Sequence, residues 1–123
     1  MAAGTIRTTM TTEVLTAYGR YTLPWDYAES VDEVYPPFTI EVADGASDTS
    51  LLSSGAPGIA TVQSLFIVST VAVTLKLGVA GSNVAFALAA KAPLRLAGTS
   101  LTALSVSNAS GSTALVTCIL GGT

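Results

Sequence analysis

Apolar residues recur at every second position through much of the carboxy-terminal part of the chain. Val71, Val73, Leu75 and Leu77 alternate with Ala72, Thr74 and Lys76, and Val84, Phe86 and Leu88 continue the pattern with alanines between them. A period of two puts one set of side chains on one face of a strand, so each segment predicts a strand with a single buried side. Leu65 to Val68 is a short apolar run, Leu94 to Leu96 a brief strand after Pro93, and Leu101 to Ser107 alternates through Leu104 and Val106. Thr113 to Leu120 completes the series. Turn chemistry separates these segments at Gly78-Val79-Ala80-Gly81-Ser82-Asn83, Gly98-Thr99-Ser100 and Asn108-Ala109-Ser110-Gly111. Val84 to Ala92 has the alanine content of a helix but lacks Glu, Gln and a capping box, so the neighbouring strands decide for strand. Strands at roughly 8–12-residue spacing predict an all-β sandwich or barrel. Its core is expected from Leu65, Ile67, Val71, Val73, Leu75, Val84, Phe86, Leu88, Leu101, Leu104, Val106, Leu115 and Ile119.

The amino-terminal part is less regular. Thr5 to Thr16, rich in threonine and β-branched residues, predicts one strand, and Thr39 to Val42 another. Tyr18 to Phe38 mixes acids, prolines and aromatics, and Asp26 is placed to cap a single helical turn across Tyr27 to Val34. Asp44 to Pro57 reads as a surface loop. The expected division is an acidic, aromatic strand-and-arm segment over 1–48 and a sandwich core over 49–123, or one domain over 1–123.

Charge sharpens this picture. Only 13 of 123 residues are ionised, 11 %, against about 25 % in an average soluble domain. A monomer of this mass exposes about 6,100 Å², or one charge per roughly 470 Å². Such a surface implies cover by lipid or by other protein. The most apolar stretch, Ile59 to Leu77, is interrupted by Gln63, Ser64, Ser69, Thr70, Thr74 and Lys76, and the amino terminus lacks the layout of a signal peptide, so protein is the expected cover. All eight acids lie in the first 48 residues beside Arg7 and Arg20, while Lys76, Lys91 and Arg95 are the only charges after them. The two parts carry −6 and +3. Either this polarity attracts a second copy, acidic part to basic part, or the core-forming part has little room for charge.

Catalytic chemistry has few candidates. The chain has no histidine and one cysteine, which removes the usual nucleophile activation and any structural zinc site. Cys118 lies in an apolar run, as a buried and inert thiol would. Asp32 with Glu33, or Asp26 with Glu29, are the only paired carboxylates, on a segment where solvated acids are the simpler account. Asp44, Ser47 and Asp48 offer oxygen to calcium but without EF-hand spacing. Gly55-Ala56-Pro57-Gly58 lacks the Lys-Ser/Thr of a phosphate cradle, and five bases argue against nucleic acid. Asn108-Ala109-Ser110 matches a glycan acceptor and equally a hairpin turn. No cofactor is expected. Six of the eight aromatics cluster at Tyr18, Tyr21, Trp25, Tyr27, Tyr35 and Phe38. Three readings stand side by side: protein-interface anchors at Tyr18, Tyr21, Trp25, Tyr27 and Tyr35, a cap folded over one end of the sandwich, and rings that stack on sugars.

The run Val62-Gln63-Ser64-Leu65-Phe66-Ile67-Val68, the strand Val71 to Leu77, and Leu101-Thr102-Ala103-Leu104-Ser105-Val106-Ser107-Asn108-Ala109-Ser110-Gly111 leading to Gly121-Gly122 resemble small virion proteins of tailed bacteriophages. The likeness covers residues 60 to 122 and is closest to capsid decoration (cement) proteins. It implies a jelly-roll-like β-sandwich made in the host cytoplasm and carried on the exterior of the phage head. The implied partners are copies of itself, as a homotrimer, and the major capsid protein, with neither nucleic acid nor membrane. Tail, collar or head–tail joining roles share these features, and a carbohydrate-binding module is the rival of another class.

Overall fold

A computed structural model describes residues 3–79 and 82–123. Of the turn expected at Gly78 to Asn83, Ala80 and Gly81 lie outside the described residues. The chain is nearly all β. Strands β1 (Gly4–Thr16) and β2 (Gly19–Val31) form a two-stranded hairpin. Then follow β3 (Glu33–Val42), β4 (Thr49–Ser50), a short helix α1 (Leu51–Gly55), β5 (Val62–Ser69), β6 (Val73–Val79), β7 (Ser82–Leu88), β8 (Leu94–Leu101), β9 (Ala103–Ser107) and β10 (Ala114–Gly122). They make two four-stranded antiparallel sheets, ordered β3-β10-β5-β8 and β4-β9-β6-β7. The pairing is nested: β6 with β7, β5 with β8, β4 with β9 and β3 with β10. Pairings of β10 with β5 and β9 with β6 complete the two layers.

The core lies between the sheets. Leu65, Ile67, Val73, Leu75, Leu88, Leu104 and Val106 are buried there, as the alternation predicts. Val71 and Leu101 are half-buried against it. Four expected core residues are not in it. On β10 the inward set is Ala114, Val116, Cys118 and Leu120, so Leu115 and Ile119 point outward. Both parities of that strand are apolar, and periodicity alone cannot choose between them. Val84 and Phe86 share the core-facing side of their sheet with Leu77 and Leu75 but are 70 % and 42 % exposed. Their strand is the outermost of its sheet, beyond β6, the strand that packs on β8 across the core.

Three local expectations also change. No helical turn follows Asp26, because Tyr27 to Val31 continue β2 in register with β1. Gly98-Thr99-Ser100 is not a turn: it lies within β8, where Gly98 takes φ +65° and the register against β5 shifts between Val62 and Ser64. Such a bulge admits two extra residues, Gly98 to Ser100 lying opposite Gln63, without ending the strand. Asp44 to Pro57 contains β4 and α1, whose Leu51 is buried with Ala56 to close the core, and Ser50 caps the helix by accepting from the Ser53 amide at 3.3 Å. β3 lies within the four-stranded sheet beside β10, while β1 and β2 form a sheet of their own. Among the described residues no helix is long and apolar enough to cross a membrane.

Candidate interaction surface

Residues opposite one another in an antiparallel pair share a face. The hairpin register places Thr8 with Tyr27, Met10 with Trp25, Thr12 with Leu23 and Val14 with Tyr21 on one side. The other side carries Arg7, Thr9, Thr11, Glu13 and Leu15 opposite Ala28, Asp26, Pro24, Thr22 and Arg20. One face is thus aromatic and aliphatic and the other polar. Two diagonal ion pairs brace the polar face. Arg7 Nε donates to Asp26 Oδ1 at 3.0 Å, with Nη2 on Oδ2 alongside, and Arg20 Nε lies 3.2 Å from Glu13 Oε1. Hydrogen bonding from Arg7 holds the Asp26 carboxyl below its ordinary pKa.

The base of the hairpin is seated on the outer face of the β3-β10-β5-β8 sheet. Ile6 and Val31 are buried, and a Cβ placed on Gly121 would meet their methyls at 2.7 and 2.8 Å, so the absent side chain makes the seat. Ile6 shares a small cleft with Phe66 and Ile119. Further along, Arg95 Nε donates to Thr8 Oγ1 at 2.6 Å and the Gly98 amide donates to Glu29 Oε2 at 2.8 Å. These contacts run from β10 across β5 to β8, the edge of the sheet. Beyond Thr8 and Tyr27 the hairpin overhangs that edge. Its underside meets β8 in a cleft of about 340 Å³ lined by Thr8, Met10, Trp25, Tyr27, Arg95 and Ala97.

The overhang is exposed along its apolar face: Met10, Val14, Tyr21, Leu23 and Trp25 all face solvent, Trp25 at 56 %. Tyr18 sits at the tip, 95 % exposed. Four of the five aromatic residues expected to anchor an interface, Tyr18, Tyr21, Trp25 and Tyr27, are brought together on this one element. Tyr35 is elsewhere, half-buried on β3 against the core with its hydroxyl accepting from the Gly58 amide at 2.9 Å. Met10, Val14 and Leu23 extend the surface and were legible as alternation with Tyr21, Trp25 and Tyr27, a pattern masked by Pro24 and the interspersed acids. The total surface is 6834 Å², some 700 Å² above that of a compact monomer of this mass.

The other candidate groups are engaged in structure. Asp48 Oδ1 lies 2.6 Å from Lys76 Nζ, and Asp44 Oδ1 accepts from the Gly111 amide at 2.9 Å. Among the described residues no three His, Cys, Asp or Glu side chains are grouped as metal ligands. Asn108 is buried, with Nδ2 donating to the Val42 and Ser112 carbonyls at 3.0 and 2.7 Å, so the glycan-acceptor nitrogen is occupied by the fold. Cys118 is buried and its thiol is pushed up to about 12 by desolvation. Comparison with protein-family models, curated proteins and solved structures finds no match to this chain.

Proposed function

We propose that this chain is a structural protein of a tailed-phage virion, a capsid decoration protein that binds over capsomer junctions on the outside of the head. The observation that carries the reading is the overhanging hairpin with its uncovered aromatic face. A free two-stranded ribbon is marginal in water, and this one displays the residue types that anchor protein interfaces. Nested pairing of eight strands in two sheets supports a jelly-roll wind, an architecture used by capsid proteins and also by lectins. Fold alone therefore does not choose a role. The thin charge and the sequence likeness favour the shell, with copies grouped as a trimer and the hairpin as the arm that grips the major capsid protein. The action is mechanical: apolar area buried between neighbours opposes their separation. No catalytic step is assigned.

The test is co-sedimentation of the purified protein with heads of the phage that encodes it. Binding that saturates at a fixed ratio to capsomers, and falls at least tenfold for Trp25→Ala, is the expected result. Capture by tail or neck structures instead of heads would move the role along the virion. Trp25-dependent binding to a glycan array, with no binding to heads, would replace it with sugar recognition.

A further inference from the structure

The sandwich has two unlike flanks. On one side the outermost strands are β3 and β4, and on the other β7 and β8. The β3 side is acidic: Glu41 is exposed on β3, with Asp44 just beyond the strand. The β7/β8 side is apolar with an exposed base at Lys91, while Glu29 and Arg95 there are engaged with Gly98 and Thr8. Lys91 is exposed in the connection between these strands, Arg95 lies on β8, and Val84 and Phe86 present their side chains from the uncovered core face of β7. Among the described residues neither Glu41 nor Lys91 has an ion-pair partner.

These charges stand at the same height. Glu41 is opposite Leu115 on β10, the Leu115 carbonyl accepts from the Thr70 amide at 3.1 Å, and the adjacent Ser69 carbonyl accepts from the Lys91 amide at 2.7 Å. A ladder of backbone contacts thus runs level across the sheet from Glu41 on one flank to Lys91 on the other. Copies related by rotation about an axis along the strands, with no rise, would bring Glu41 of one against Lys91 of the next. Matching heights are what a closed ring requires, whereas an offset would generate a helix.

We infer that the β7/β8 flank receives the β3 edge of a second copy, head to tail, with the hairpin of the first copy laid across the outer face of the second. Two exposed apolar features are covered by this one contact. The neighbour's β3 edge closes over Val84 and Phe86. The hairpin, which overhangs β8 at the level of Arg95 and Gly98, continues over the neighbour's β3 towards the base of the neighbour's own hairpin, seated at Gly121. Eight residues of overhang per strand reach about 26 Å, and a four-stranded sheet is about 15 Å across. The roughly 700 Å² of surface above that of a compact monomer is close to the about 800 Å² per partner of a standard interface. The inference deepens the assembly reading above but does not depend on the shell.

Charge reversal tests it. By light scattering at micromolar concentration the purified chain is expected to be oligomeric. Lys91→Glu and Glu41→Lys are each expected to weaken association about tenfold, and the two together to restore it. Disulfide trapping gives an independent readout: Glu41→Cys mixed with Lys91→Cys yields covalent dimers only, whereas one chain carrying both yields the closed ring. A monomeric wild type, a double reversal no better than either single, or Lys91→Cys alone cross-linking as well as the mixture would overturn the interface. Self-association without head binding would sink the shell role and leave this contact standing.

Discussion

Asn108 shows how much a single polar residue holds. Its amide joins the end of β3 to the turn before β10, and its Oδ1 accepts from the Ser110 amide at 3.1 Å. Replacement by alanine removes the partner of the buried Val42 carbonyl and two bonds that order the turn at Ser110 and Ser112. The Asn108→Ala variant is expected to lose about 2–3 kcal/mol in a denaturant titration. Cys118 is the opposite case, a thiol with nothing to do but fill space. Iodoacetamide should leave it unmodified in the native protein at pH 8 and label it once denatured. Its raised pKa also sets a sign. The unfolded thiol ionises first, from the ordinary 9.0, so stability contributed by the buried, protonated form declines as pH rises from 9.0 towards 12. At Gly121, alanine would collide with Ile6 and Val31, and Gly121→Ala is expected to unseat the hairpin while leaving the opposite sheet intact, visible as amide exchange confined to β1, β2 and β10.

The hairpin is the element whose sequence was hardest to interpret. Tyr21, Leu23, Trp25 and Tyr27 do alternate, yet Pro24 and Asp26 between them suggested a break and a helix start. Pro24 is tolerated because a two-stranded ribbon leaves each strand one free edge, where a missing donor costs little. Asp26 belongs to the ion pair with Arg7 rather than to a cap. Folding lowers the Asp26 pKa, so the pair's contribution is present above the ordinary 3.8 and is lost as pH falls through the lower folded value. Fluorescence of Trp25, the lone tryptophan, should therefore stay flat from pH 8 to pH 5 and change only below about 3.8. The pair is solvent-exposed and modest in strength, so salt is expected to produce the same change at neutral pH in weaker form. Elsewhere the alternation served well: β6 and β9 bury the residues it named, and β7 was rightly a strand despite its alanines.

At the scale of the whole molecule, the thin charge of the sequence acquires an address. Three of the five bases are tied to acids within the chain, at Arg7, Arg20 and Lys76, and these pairs leave Glu41 and Lys91 facing outward on opposite flanks. Exposed apolar surface is likewise concentrated on the hairpin, on the open side of β7 and at Leu115. Truncating any of these exposed side chains is expected to change monomer stability by no more than about 0.5 kcal/mol while altering assembly. Thermal unfolding of Trp25→Ala beside its sedimentation profile checks this directly.

Composition and period two were enough to determine a β-rich chain with a core from its carboxy-terminal strands, an aromatic amino-terminal segment and a surface thin in charge. Those properties are local or additive, and each can be counted along the chain. Only the tertiary structure decided which parity of β10 faces inward, that β7 extends past its cover, and that the aromatics form one overhanging face. Each of these depends on what the opposite layer covers, a relation between residues far apart in sequence.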